Sequence, residues 1–229
     1  MVRDVVIFGA GGFGRMVCDI LRQAGQYRPV AFLDSDSRKH GREVDGLTVA
    51  GNLDTFASLR RAGTTGAVVA IGDNATRDRI AGELRMRGAE MISAIHPLAS
   101  VSPTAILSEH LIIGPRACIG VHARIGRDSV ISSGAIIEHD NVIGNAVFIH
   151  AAVRLGGTVR VDDFATVGIG ASVIHGRRIG RGARVEPGAV VIRDVEAGVA
   201  VSGVPAEPVD STTTVAPSLF ECAAVGHTI

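Results

Sequence analysis

His139 is followed directly by Asp140, and stepping 18 residues along the chain reaches Gly157 and then His175. An imidazole can take up a proton, and a neighbouring carboxylate can orient the ring or stabilise its cation. A glycine beside that ring offers a backbone N–H uncovered by any side chain, which is a donor for an oxyanion. A second constellation lies near the N terminus. Gly9-Ala10-Gly11-Gly12-Phe13-Gly14 follows the apolar run Val5–Phe8 and precedes the amphipathic stretch Met16–Ala24. Glycines in such a strand–turn–helix let a phosphate approach the backbone and the positive helix end. Asp34 stands 20 residues after Gly14, where an acid can hydrogen-bond a ribose or base. The plainer readings are a surface histidine, glycines that only allow tight packing, and a solvated loop aspartate.

The step of 18 has meaning because the second half of the chain repeats every six residues. Counting from Ile95 to Val191 in sixes meets 17 positions, and all are Ile, Leu or Val. Two residues before each, the chain is mostly small, as at Ala117, Ala123, Ala135, Ala165 and Ala171. One large and one small inward residue per hexad describes a short strand and a turn, repeated around a three-sided prism. Three hexads make one coil, and coils stacked about 4.8 Å apart give about 27 Å of solenoid. Residues 18 apart then lie in one column, so His139, Gly157 and His175 form a stack. This is the hexapeptide pattern of a left-handed parallel β-helix, whose hand runs against the usual right-handed crossover.

The first half reads as alternating strands and helices: strands at Val5–Phe8, Pro29–Leu33 and Ala67–Ile71, helices at Asn52–Ala62 and Ala75–Arg87, and a short strand at Glu90–Ala94. Three or four strands make half of a dinucleotide fold, enough for a nucleotide diphosphate. The chain therefore divides into an α/β half-Rossmann domain at 1–93, a β-helix at 94–208 and a tail at 209–229 without clear period, expected to be poorly ordered.

Composition narrows the partners. Lys+Arg and Asp+Glu both number 23, so nothing in the net charge calls for nucleic acid or an anionic membrane. Three cysteines far apart give neither a disulfide framework nor a zinc site. His96, His110 and His122 read as solvated turn residues and His150 falls on another phase of the repeat, so no metal is expected. No apolar run is long enough for a signal peptide or a membrane span, and a soluble cytoplasmic protein is expected. With aromatics at 3%, the core must be filled by aliphatic side chains.

Four motifs in order, the Gly9–Arg15 turn, Ala70-Ile71-Gly72-Asp73-Asn74, His139-Asp140-Asn141-Val142-Ile143-Gly144 and Gly203-Val204-Pro205-Ala206, resemble the sialic-acid O-acetyltransferase-like family of sugar acyltransferases over residues 1 to about 208. That family includes bacterial enzymes that N-acetylate UDP-4-amino sugars and GDP-perosamine. The resemblance implies a homotrimer with acetyl-CoA bound between neighbouring β-helices and a nucleotide sugar held by the α/β domain. It implies His139 as catalytic base, Asp140 as its carboxylate and Gly157 as the N–H donor at the thioester carbonyl. Ile169 matches a backbone contact to the pantetheine arm. Pro187 falls where relatives often have a CoA-contacting glycine, although proline has no N–H to give. Gly11, Gly12, Phe13, Asp34, Gly72 and Asn74 match positions near the sugar nucleotide. Phe13 and Phe148 both stand where many relatives have histidine.

The expected reaction is direct acetyl transfer to a nucleotide-linked amino sugar. O-acetylation of sialic acid or another sugar is the nearest alternative. A non-enzymatic trimeric scaffold or nucleotide-sugar sensor, and then an NAD(P) oxidoreductase, are the more distant ones.

Overall fold

A computed structural model describes residues 2–209. The chain opens with β1 (Arg3–Phe8), α1 (Gly12–Ala24) and β2 (Tyr27–Leu33), then a hairpin of β3 (Glu43–Val44) and β4 (Leu47–Gly51). There follow α2 (Phe56–Arg61), β5 (Gly66–Val69), α3 (Asn74–Met86) and β6 (Glu90–Met91). The sheet order β3-β4-β2-β1-β5-β6 has six strands, two or three more than the hydrophobic pattern predicts. The hairpin was hidden because its strands are short, two and five residues, with Val44, Leu47 and Val49 as their inward apolar side chains. β1 pairs parallel with β2 and β5 and is buried over its last four residues, as a central strand must be.

From Ala94 the chain becomes a left-handed parallel β-helix of two-residue strands. All 17 aliphatic positions of the hexad repeat fall on the second residue of such a strand, from Ile95 to Val191. Strands 18 residues apart pair in parallel, as in Ile113↔Ile131 and Ile137↔Leu155. The stacked aliphatics form one continuous core from Leu111 to Val201. Burying each such side chain is worth about 1.5–3 kcal/mol, which explains how a domain with few aromatics is held together. Each corner from His110 to Gly188 places one residue in six at positive φ, glycine at some corners and Asp128, Asp140 or Thr158 at others. At a non-glycine residue this conformation costs about 1–2 kcal/mol, a cost that stacking must offset.

The repeat does not stop at Val191. Ile179 bridges Val195 and Val185 pairs with Val201, so the last coil is 16 residues long instead of 18. The shortened step is why counting in sixes loses it. Val209 N–H still donates to Ala200 O, at 2.9 Å, and the expectation for the rest of the tail concerns residues outside those described.

The three faces of the prism have different neighbours. The first, carrying Ile112, Val130 and Phe148, is covered by the α/β domain, whose β1 and α1 share a core with it. The second carries Cys118, Ile136 and Arg154, and the third Arg124, Val142 and Arg160. Among the described residues, no helix is long and apolar enough to cross a membrane.

Candidate functional site

His139 lies at the corner between the second and third faces, two residues past the strand Ile136–Ile137. Parallel pairing of that strand with Arg154–Leu155 puts Gly157 in the next coil beside it. A Cβ added to Gly157 would collide with Nε2 of His139 and come within 3.0 Å of its Cδ2. The column expected from the sequence therefore exists, and only glycine leaves room for the ring. His139 Nδ1 is 2.8 Å from Asp140 Oδ2, so the carboxylate fixes the ring and favours the tautomer with its proton on Nδ1 and a free lone pair on Nε2. Both side chains are half exposed. Asp140 can swing to this position because it is one of the left-handed corner residues, at φ 57°. His175 completes the column and approaches Thr158 Oγ1 at 3.5 Å.

Ile169 and Pro187 stack on each other one corner away, between the first and second faces. Both are exposed, Ile169 at 54%.

The glycine turn separates into two kinds of glycine. A Cβ at Gly9 would meet Ala70 O at 2.5 Å, and one at Gly14 would collide with Gly9 O. These two are needed for strand–helix packing alone. Gly11 and Gly12 face open space, and so does Gly72, in the turn between β5 and α3. Helix α1 starts at Gly12 with no side-chain cap, leaving a bare positive end beside that space.

Asp34 is not a solvated loop residue: it is 8% exposed. Its Oδ2 accepts from Ala10 N–H at 2.9 Å and from Lys39 Nζ at 2.8 Å, and its Oδ1 accepts from Asp36 N–H at 2.9 Å. Burial alone would raise this carboxyl, but the Lys39 ammonium and the two N–H groups outweigh it and hold it below the usual range. Asp34 thus fastens the glycine turn, and it brings Lys39 beside that turn. Lys39 carried no signal in the sequence, because its partner lies across a short 3-10 turn, Ser37–Lys39.

The side chain of Asn74 is turned into the joint between the domains. Its Nδ2 donates to Phe164 O at 3.0 Å, Ala165 O at 3.2 Å and Thr166 Oγ1 at 3.0 Å, while its Oδ1 accepts from Arg77. Arg77 is fully buried and donates to Asp128 O, Ile71 O and Gly72 O. His110 belongs to the same joint and is buried, correcting its reading as a solvated turn residue. Its Nε2 accepts from Val69 N–H at 2.9 Å and its Nδ1 donates to Asp128 Oδ1 at 2.5 Å. His96 is buried too, with Nδ1 accepting from Leu98 N–H. His110 and Asp128 are one coil apart, but the contacts of Asn74 and Arg77 to the solenoid span 51 to 92 residues and follow no repeat, so the joint itself carried no signal.

Phe13, at the start of α1, reaches Phe148 on the covered face, with ring centroids 5.7 Å apart. Phe148 stacks in turn on His150 at 4.1 Å, and Arg77 lies over its ring at 5.5 Å. Burial, helped by the Arg77 charge, pushes the His150 imidazole down to about 4.

His139 stands on the edge of the prism opposite the face that carries the α/β domain. Within one chain the glycine turn and His139 are therefore on opposite sides of the solenoid. Among the described residues, no group of three His, Cys, Asp or Glu side chains could hold a metal ion.

Residues 4–84 match the PglD N-terminal domain family. Over the whole chain, the structure is similar to a histidine-to-alanine mutant of GDP-perosamine N-acetyltransferase from Caulobacter crescentus, solved with CoA and GDP-perosamine. The TM-score is 0.87 and the identity 34%, covering 92% of this chain and 98% of that one. It is also similar to the acetyltransferase domain of PglB from Neisseria gonorrhoeae in complex with acetyl coenzyme A (TM-score 0.83, 27% identity, 91% and 100% covered). WeeI from Acinetobacter baumannii gives a TM-score of 0.83 at 26% identity, with 91% and 100% covered. No curated protein sequence matches.

Proposed function

The chain belongs to the family of hexapeptide-repeat sugar acetyltransferases that carry a PglD N-terminal domain, and from that premise we propose that it transfers acetyl from acetyl-CoA to the amine of a nucleotide-linked amino sugar. The observation that carries this reading is the His139 ring packed on the bare Gly157, with Asp140 behind it. The Caulobacter relative, bound to CoA and GDP-perosamine, supplies the substrate class.

In this reading the sugar amine attacks the thioester carbonyl. His139 Nε2 takes the proton that the nitrogen loses, and Asp140 stabilises the imidazolium. The Gly157 N–H bonds the carbonyl oxygen as it becomes an oxyanion. The C–S bond then breaks, and the CoA sulfur leaves to be protonated as the free thiol. Ile169 and Pro187, exposed along a neighbouring edge, are assigned to the pantetheine arm, with Pro187 contributing surface rather than an N–H. The open turn at Gly11, Gly12 and Gly72 and the uncapped α1 end would take the nucleotide diphosphate, with Lys39 adding positive charge beside it. Asp34 acts by holding that turn in shape, and Asn74 by holding α3 against the solenoid. Phe13 and Phe148 form the wall where the family often has histidines.

The separation of glycine turn and His139 on opposite sides of one solenoid supports a homotrimer, in which the sugar from one subunit's α/β domain meets the histidine of another. Positioning two substrates at that seam supplies much of the rate. The test is to incubate purified protein and acetyl-CoA with UDP-, GDP- and dTDP-linked amino sugars and follow free thiol. Acceptor-dependent thiol release from at least one of them is expected. No release from any member of the panel, together with a flat calorimetric titration of acetyl-CoA, would overturn the reading in favour of a scaffold.

A further inference from the structure

At the inner corners of the solenoid, two residues before a stacked aliphatic, the chain places small or apolar side chains at nearly every coil, with Asn141 and Arg177 the polar exceptions larger than serine. In the column through residue 141 these are Ala123 in the coil before and Val159 in the coil after. Asn141 between them is a fully buried amide. Its Nδ2 donates to Glu138 O at 2.7 Å and to Gly156 O at 3.0 Å. Two carbonyl partners fix which end of the amide is nitrogen, and they leave Oδ1 buried with no hydrogen-bond partner. An orphaned buried oxygen carries a desolvation penalty that Ala or Val would avoid. Something must offset it.

The two carbonyls that Asn141 holds belong to the peptide units entering His139 and Gly157. A trans peptide points its C=O and N–H in opposite directions. With Gly156 O bonded inward to Asn141, the Gly157 N–H of the same unit is turned outward, to the side where an oxyanion would lie. A bond accepted at that carbonyl also polarises the N–H. The bond to Glu138 O fixes the unit that carries His139. One buried amide therefore ties together the turns of adjacent coils that present the ring and the donor.

We propose that Asn141 is a positioning residue for acetyl transfer, acting through the Glu138–His139 and Gly156–Gly157 peptide units. The proposal rests on the assignment of His139 and Gly157 made above. Asn141→Ala and Asn141→Val restore the residue types of the neighbouring coils; relief of the orphaned oxygen opposes loss of the two carbonyl bonds, so the melting temperature should change little. Each should lower kcat about 10- to 100-fold while leaving KM for acetyl-CoA within about twofold. Asn141→Ser should recover part of the loss, because serine at an inner corner can reach one carbonyl, as Ser129 Oγ does to Gly144 O at 2.9 Å. Wild-type kcat in the valine variant would reduce Asn141 to packing and overturn the proposal. A crystal structure of Asn141→Ala supplies a second readout that needs no turnover. A rotated Gly156–Gly157 peptide is expected, and an unmoved one would overturn the proposal whatever reaction the enzyme performs. A wild-type protein inactive on every acceptor, with that peptide rotated in the variant, would instead count against the assigned reaction alone.

Discussion

Phe13 of the α/β domain and Phe148 of the solenoid meet at 5.7 Å with their rings tilted by 41°. The two positions at which the resemblance implies histidine, and this chain has phenylalanine, are thus one contact. Each ring completes the environment of the other, and His150 extends the stack.

This contact should be measurable as coupling. Phe148→Ala, at a 5% exposed site, should destabilise the protein by about 3–5 kcal/mol. The double variant with Phe13→Ala should be less destabilised than the sum of the singles by about 0.5–1.5 kcal/mol. Urea unfolding of the four proteins checks it, and strict additivity would mean that the two rings act independently. Phe13→Ala should also raise KM for the sugar acceptor and leave KM for acetyl-CoA unchanged.

Gly157→Ala tests the room left for the imidazole. The backbone there lies outside the left-handed region, so alanine can adopt it, and the three atoms nearest the added methyl all belong to the His139 ring. A ring pushed off its seat should cost about 10²–10³ in kcat with a small change in melting temperature. Steady-state kinetics showing wild-type kcat in this variant would mean that the ring and glycine do not act together.

Acid should loosen the molecule well before its carboxylates titrate. Burial lowers the His150 imidazole to about 4 and lowers that of His110 as well, the latter against the opposing pull of Asp128. Both histidines are then neutral when folded and take up protons more readily when unfolded, where the pKa is about 6.5. The unfolded state binds more protons between those values, so stability is complete above about pH 6.5 and falls as pH drops toward 4. Asp128, held near 2, adds nothing in that window. The urea midpoint should decline from pH 7 to pH 4.5, and less so in His150→Gln. A flat midpoint across that range would contradict neutral burial of the two rings.

Much of this site was legible because the solenoid obeys a fixed arithmetic. Once Ile137 and Leu155 are known to stack, the partner of His139 follows by counting. The same arithmetic failed where the coil shortened, between Ile179 and Val195. The domain joint was invisible for a different reason. Val69, Asn74 and Arg77 of the α/β domain meet His110, Phe164 and Asp128 of the solenoid across a boundary that the repeat does not encode, so His110 looked solvated and Asn74 looked free to touch a ligand. The glycine turn was legible as a motif, but which glycines pack and which stay open depends on Ala70 and on the backbone at Gly9, across the fold.

Proton removal by His139 is the step on which the proposed acetyl transfer turns. It is probed by the kcat of His139→Ala for acceptor-dependent thiol release, read beside the melting temperature of the variant. The side chain is half exposed at a corner, so removing it should scarcely change stability. A loss of about 10²–10⁴ in kcat is predicted at near-wild-type melting temperature. An undiminished kcat would contradict the assignment and move the base elsewhere, with His175 in the same column the first place to look.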